Sequence, residues 1–573
     1  MKKLSIKIVG PAGFGIKVTG ITIAKVFMRL GLNVFAYTEY PSLIRGGHNT
    51  YQIDLSKDKV HSSNQKCNIL IALTKEAIQK EKENIELGGI VICDKSIINE
   101  EDLNLRSIKT IKAPLIESAK FAGSELMKNT VALGVLLSLL DLSIKNLNNV
   151  LADIFASKKE VIKDNKVAAK TGYDWMEQFK KKENSDFDKL SKIVSVSKKG
   201  SNNVLMTGNQ ACAMSVIASQ CQMYVAYPMT PSTDILHILE AEQKETGMLI
   251  HQPEDEISGI HVALGSSFTG ARSAVGTSGG GFALMNEGFS LAGMTETPLV
   301  VFEVMRPAPA TGNPTWSDQG DLGYVVNAGH GEFAKIVITP GTPEQSFNLV
   351  QHAFNLADKY QTPVVILSDK HLGESSFTVS KEVFNEVDKI DRGKIVKSVK
   401  QAQEIFMRYK VEKDGISART IPGIQNGEHI ANSDEHDEYG YSDESSKVRI
   451  QQMDKRMKKL DEIKKDIPLP KVYGPKIASK TLVCWGSSFG ACKDTVDNNK
   501  DINLINFEYV YPMPNNLDKF LKKFRKLILV EQNKTGQLGK LIRQETGIQI
   551  KDKILKYDSR PFWSDEVLSL LSS

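Results

Sequence analysis

Between Tyr227 and Leu322 stand a hydroxyl, carboxylates, a glycine run and a guanidinium, each where an apolar, β-rich run stops. Tyr227-Pro228-Met229-Thr230-Pro231 comes first, followed by Gln252-Pro253-Glu254-Asp255-Glu256 and Thr277-Ser278-Gly279-Gly280-Gly281. Arg306-Pro307-Ala308-Pro309-Ala310-Thr311-Gly312 and Asp318-Gln319-Gly320-Asp321-Leu322 complete the series. In a parallel α/β sheet the carboxyl ends of the strands form one edge, and ligands bind in the crevice outside it. The five segments would then share one mouth. Glu256 heads a helical pattern with Gly259, Gly265 and Gly270 behind it. A carboxylate there also favours the helix dipole, and Thr230 between two prolines also suits a plain turn. Arg306 ends an apolar strand before a proline, and a guanidinium so placed suits bidentate capture of a carboxylate.

The elements that must position these groups alternate strand with helix. The pattern predicts strands at Met223–Tyr227, Met248–Gln252, Ser273–Thr277, Leu299–Val304, Lys335–Ile338 and Pro363–Leu367, with helices over Glu256–Phe268 and Pro343–Tyr360. That order predicts a parallel sheet covered on both faces, in a domain spanning 200–375. A first domain spans 1–185. There Leu4–Val9 alternates like a strand, the turn Gly10-Pro11-Ala12-Gly13-Phe14-Gly15 follows, and a helical segment leads to Asn33–Tyr37, which reads as a βαβ unit. Periodicity weakens over 376–472, an irregular linker with a charge-paired helix near Val448–Lys465. His436, among carboxylates, reads as part of a solvated loop, with a metal ligand as the alternative. A last α/β domain spans 473–573, with strands at Thr481–Trp485, Ile502–Val510 and Lys526–Val530. The fold class expected is α/β with three parallel-sheet domains.

A chain of 573 residues is too long for one core. Its 73 Lys+Arg against 68 Asp+Glu leave a charge of +5, which gives no strong pull on nucleic acid. The longest apolar stretch, around Val131 to Leu142, is far short of the roughly 20 residues of a membrane span, and Gly10-Pro11 breaks any leader-like run. A cytoplasmic protein is expected. None of the 6 cysteines has a Cys-x-x-Cys partner, so no cluster or zinc ligation is expected from this chain. Gly10 and Gly15 have the separation of a Walker A loop, but Ile16 stands where its lysine belongs. A tight turn and a phosphate-contacting loop both remain open there, with Arg45-Gly46-Gly47-His48 nearby in sequence.

These motifs resemble the α subunit of the 2-oxoacid:ferredoxin oxidoreductases, thiamine-diphosphate enzymes that make acyl-CoA from 2-oxoacids. Tyr227–Pro231 is similar to the family's Tyr-Pro-Ile-Thr-Pro, with Met229 for Ile, and the other segments follow in family order. The last domain agrees through Val530-Glu531-Gln532-Asn533 and Gly536-Gln537-Leu538-Gly539. Gly10–Gly15 and Glu39-Tyr40-Pro41-Ser42-Leu43-Ile44-Arg45-Gly46-Gly47-His48 resemble the family's γ component, here fused ahead of α. The resemblance implies a γ-type domain, a pyrimidine-binding domain and a transketolase C-terminal-like domain.

It also implies residue roles. Glu256 would bind N1′ of the thiamine aminopyrimidine and promote removal of the C2 proton. Thr230 and Arg306 would hold the substrate, while Tyr227, Pro228, Thr277, Ser278 and Gly279 would contact the cofactor. Gly10, Gly13, Gly15 and Arg45 become candidates for the coenzyme A region. No Gly-Asp-Gly magnesium motif stands in the chain, so the diphosphate, Mg²⁺ and a [4Fe-4S] cluster would belong to a β subunit, in an (αβ)₂ assembly reducing ferredoxin. The fused layout points to 2-oxoglutarate, with succinyl-CoA as product; pyruvate or a broad 2-oxoacid range is the alternative. A non-oxidative thiamine enzyme, or a scaffold in which the glycine loops are only turns, are the rival readings.

Overall fold

The structure, a computed structural model, describes residues 3–43, 46–98, 108–183, 190, 194, 202–399 and 405–572. They fall into two compact units: Met1–Met206 with Ser375–Lys381 and Phe562–Ser573, and Thr207–Glu374 with Glu382–Pro561.

The first unit is built on β1 (Leu4–Ala12), β2 (Asn33–Glu39), β3 (Gly46–Ser56), β4 (Cys67–Ala72), β5 (Ile85–Asp94), β6 (Lys109–Ala113) and β7 (Asn203–Thr207), joined by the later strand β14 (Ser376–Ser380). The sheet order is β6-β5-β4-β1-β3-β2-β14-β7. β1, β4, β5 and β6 run parallel, whereas β3 lies antiparallel to both β1 and β2. The βαβ reading therefore needs a correction, because β3 intervenes between its two strands. The cause is legible in Thr50-Tyr51-Gln52-Ile53-Asp54-Leu55, whose alternation sends Tyr51, Ile53 and Leu55 into the main core of this unit. Helices Lys128–Leu139 and Lys159–Glu183 cover that core.

The second unit carries a sheet ordered β18-β12-β13-β11-β10-β8-β9. Its strands are β8 (Met223–Val225), β9 (Leu249–His251), β10 (Ser273–Thr277), β11 (Leu299–Met305), β12 (Ile336–Ile338) and β13 (Pro363–Asp369), with β18 (Tyr509–Tyr511) at one edge. All pairings are parallel except that of β18 with β12. Consecutive residues point to opposite faces. Val275, Val301 and Val365 thus share one core with helix Glu256–Phe268, while Tyr224, Val300 and Val364 share another with helix Pro343–Tyr360 on the other side. A third sheet, β15-β17-β16-β19-β20, is formed by β15 (Lys471–Tyr473), β16 (Lys480–Trp485), β17 (Ile502–Phe507), β19 (Leu527–Glu531) and β20 (Asp552–Leu555).

The linker departs from expectation. Helix Ser446–Asp466 buries Lys455, Arg456 and Lys459, and their partners lie on other elements, not along the helix itself. His436 is fully buried against Tyr409, with ring centroids 4.0 Å apart, and is no solvated loop residue. No helix among the described residues is long and apolar enough to cross a membrane.

Candidate functional site

Helix Glu256–Phe268 begins where the chain leaves β9, and Asp255 caps it by accepting from the Ser258 amide at 2.8 Å. The cap leaves Glu256 free to turn inward. It is 3% exposed, and its Oε1 is buried without a hydrogen-bond partner among the described residues. An orphaned carboxylate oxygen in a protein interior is costly unless a ligand satisfies it. Opposite stands Gly281, where a Cβ would lie 2.5 Å from Glu256 Oε1 and 2.0 Å from Thr277 Oγ1. Only glycine fits, so Glu256, Thr277 and the glycine turn enclose one small polar space. Ser278, fully buried, adds a hydroxyl without a partner among the described residues.

Arg306 follows directly on β11, and its Nη1 donates to the Thr230 carbonyl oxygen at 2.7 Å. Thr230 follows β8, and β10 lies between the two strands. That bond therefore spans the carboxyl end of β10, beside Thr277 and Ser278. The turn is anchored from behind by Asn209, which is buried and donates from Nδ2 to the Pro231 carbonyl oxygen at 3.0 Å. Thr230 meets Arg306 through its backbone, and the guanidinium has no other partner among the described residues. Burial lowers the Arg306 pKa, a sign of a desolvated cation suited to a carboxylate. Tyr227 is partly exposed at the lip of the same turn.

Asp318–Leu322 does a different job. Gln319 donates from Nε2 to the Trp485 carbonyl oxygen at 2.9 Å, and its Oε1 accepts from Ser488 Oγ at 2.7 Å and the Gln532 amide at 3.0 Å. Gln537 donates to the Gly320 carbonyl oxygen at 2.6 Å and accepts from the Gly323 amide at 2.7 Å. The segment is thus stitched to the motifs 530–533 and 536–539. Asp321 instead turns toward the site, since a Cβ on Gly279 would lie 2.3 Å from its Oδ2.

Sequence reasoning missed an acidic group behind the mouth. Glu303 on β11 pairs in register with Thr277, is fully buried, and has no partner among the described residues for either carboxylate oxygen. Burial first, then the neighbouring Asp321 and Asp369, raise its pKa well above the usual carboxylate range. Burial likewise pushes Asp318 up to about 7 and Asp321 up to about 6. The signal was present as a lone acid inside the apolar run Leu299–Met305.

In the first unit, Gly13 and Gly15 take left-handed φ angles of 89° and 70°, and Gly15 caps helix Ile16–Arg29. Asn129 Nδ2 clamps the loop through the Phe14 carbonyl oxygen at 2.5 Å. Beside it on β3, His48 Nε2 lies 2.6 Å from Glu81 Oε1, and Lys7 holds the other Glu81 oxygen at 2.9 Å. Arg45 lies outside the described residues.

Known proteins share both halves. Residues 214–455 match the family model for the thiamine diphosphate-binding part of pyruvate flavodoxin/ferredoxin oxidoreductase, and residues 5–175 match that for pyruvate ferredoxin/flavodoxin oxidoreductase. The 2-oxoacid:ferredoxin oxidoreductase subunit alpha of Sulfolobus sp. is 31% identical over 99% of this chain and 96% of its own length. The 2-oxoglutarate oxidoreductase subunit KorA of Mycobacterium tuberculosis is 26% identical over 99% of this chain and 91% of its own. A solved 2-oxoglutarate:ferredoxin oxidoreductase from Magnetococcus marinus, with 2-oxoglutarate, coenzyme A and succinyl-CoA bound, superposes with a TM-score of 0.90 at 29% identity, covering 100% of this chain and 99% of that one. Fold and site define a thiamine diphosphate-binding oxidoreductase chain acting on an oxo group, with an iron–sulfur protein as acceptor. Within that class, the chain belongs to the 2-oxoacid:ferredoxin oxidoreductase alpha subunits.

Proposed function

We propose that this chain supplies the pyrimidine-binding half of a site that converts 2-oxoglutarate and coenzyme A to succinyl-CoA and carbon dioxide, passing two electrons singly to ferredoxin. The observation that carries the reading is the orphaned Oε1 of Glu256 facing the Gly281 cradle. A ring nitrogen bearing a proton fits that space and supplies the missing donor. Thiamine diphosphate, when bound, supplies the carbon nucleophile and the electron sink for decarboxylation. Glu256 holds the proton shared with N1′, Gly281 lets the ring approach, and Ser278 offers its hydroxyl. Arg306 presents its remaining N–H groups to the 2-oxoacid carboxylate, in a mouth shaped by Thr230 and Tyr227. Pro228, Thr277 and Gly279 shape the cofactor side.

The diphosphate, its Mg²⁺ and a [4Fe-4S] cluster belong to a β subunit, and the working enzyme is an (αβ)₂ assembly in the cytoplasm. The loop Gly10–Gly15, with Arg45, takes a phosphate of coenzyme A. Preference for 2-oxoglutarate is supported by the bound ligands of the Magnetococcus enzyme and the name of the mycobacterial relative. The test is reconstitution with β and assay of acceptor reduction with 2-oxoglutarate and with pyruvate, each with coenzyme A. Equal or higher kcat/KM for pyruvate would reject the substrate assignment. Glu256→Gln should assemble normally yet lose C2 proton exchange of bound cofactor by about 10²–10⁴-fold; normal exchange would remove its role.

A further inference from the structure

In the turn that meets Arg306, three carbonyl oxygens in succession accept from three different residues. The Met229 oxygen takes the Ser232 amide at 2.9 Å and the Ser232 hydroxyl at 2.8 Å. The Thr230 oxygen takes Arg306 Nη1 at 2.7 Å, and the Pro231 oxygen takes Asn209 Nδ2 at 3.0 Å. Each bond holds one rigid peptide plane, and the Thr230 plane lies between the other two. The direction of the Thr230 oxygen, and with it the guanidinium bound there, is therefore set from both sides. Ser232 belongs to the turn itself. Asn209 lies 22 positions upstream of Pro231, on another element.

Asn209 is itself firmly held. It is the second residue of helix Gly208–Ala218, whose start is locked by a capping box. Thr207 Oγ1 accepts from the Gln210 amide at 3.2 Å, and Gln210 Oε1 accepts from the Thr207 amide at 2.9 Å. Asn209 is 1% exposed and lies against helix Lys370–Glu374, where a Cβ on Gly373 would come within 2.9 Å of its Oδ1 and 3.1 Å of its Nδ2. A carbonyl can only accept, so the amide nitrogen is the atom that must face Pro231. Helix Gly208–Ala218 shares a core with Tyr224, Val300 and Val364, on the face of the sheet away from helix Glu256–Phe268. The bond from Asn209 thus serves the Arg306 side of the mouth, not the space between Glu256 and Gly281.

We propose that Asn209 is a positioning residue for the 2-oxoacid. By fixing the Pro231 peptide it holds the Thr230 carbonyl, and through it Arg306, so that the remaining N–H groups of the guanidinium face the substrate carboxylate. The inference rests on the reading that Arg306 binds that carboxylate. Small misplacements of a group that orients substrate are costly even when the altered residue never touches it.

The test is a double-mutant cycle in the reconstituted αβ enzyme, with Asn209→Ala, Arg306→Ala and the double variant assayed for acceptor reduction with 2-oxoglutarate. Asn209→Ala should raise KM for the 2-oxoacid by about 3–10-fold, the effect of losing one neutral hydrogen bond. KM for coenzyme A and C2 proton exchange of bound cofactor should stay as in the parent. Added to Arg306→Ala, the asparagine change should alter KM no further, because no guanidinium is left to orient. An asparagine with a merely structural role would slow C2 exchange together with substrate capture, or add its own rise in KM to that of Arg306→Ala. Either outcome overturns the proposal. A KM raised by Arg306→Ala but not by Asn209→Ala overturns it alone, whereas a KM unmoved by Arg306→Ala removes the reading of Arg306 and this inference with it. Should Asn209→Ala not fold, Asn209→Ser, which keeps a polar group in place but falls short of the carbonyl, is taken through the same cycle and judged by the same outcomes.

Discussion

Glu256 and Arg306 do opposite things with burial. The glutamate keeps an unmet acceptor facing the Gly281 turn, while the arginine keeps donors without partners among the described residues near the surface of the same mouth. Gly281→Ala should therefore close the space around Glu256. Its methyl group would collide with Thr277 Oγ1 and Glu256 Oε1, and affinity for thiamine diphosphate in the αβ complex should fall by about tenfold or more, a cost near 1.4 kcal/mol. Calorimetric titration checks it, and unchanged affinity would mean that the ring does not enter there. Arg306→Ala should raise KM for the 2-oxoacid by roughly 10–100-fold, as expected on losing a charged hydrogen bond. Arg306→Lys should recover only part, since a lysine lacks the planar fork. A KM that stays put in both variants would place the carboxylate elsewhere.

Among the elements, the linker helix Ser446–Asp466 is only half legible from its pattern. Its lysines and acids suggest a charge-paired helix, and Lys458 with Asp461 and Lys465 with Glu462 do pair along it, yet Lys455 and Lys459 reach into the interior to Glu296. The pairing depends on a carboxylate about 160 positions away in sequence, which no local periodicity can reveal. Glu296→Gln should leave two buried ammonium groups facing an amide and cost about 3–5 kcal/mol. Urea unfolding measures this, and a loss under about 1 kcal/mol would show that the clamp carries little. The strands around the mouth were legible for the converse reason. Parallel strands buried on both faces are short apolar runs, and their ends are punctuated by the polar and glycine residues proposed for the site. β3 was harder to read, because its Gly-rich start hides an alternating strand.

Across the whole molecule, burial of acids sets a pH dependence. Asp318 is pushed up to about 7 from an ordinary 3.8, so the folded chain holds a proton that the unfolded chain has lost over that interval. Its contribution to stability is therefore greatest near pH 4 and declines as pH rises to 7. His371, pulled down to about 3 by burial, acts in the opposite sense between about 3 and 6.5, so the total profile mixes both signs. The clean observable is a difference: Asp318→Asn should remove part of the fall in stability between pH 4 and 7. Superimposable pH–Tm curves for variant and parent would rule the assignment out. The sequence by itself determined the α/β class and the order of the motifs along the chain, because local patterning dictates where strands stop. Only the tertiary structure decided that Gln319 is a stitch to the last domain, that Glu303 lies buried without a partner among the described residues, and that Lys455 and Lys459 meet Glu296. Those facts depend on distant segments sharing one interior, where low polarity makes every unpaired charge or hydrogen-bonding group count.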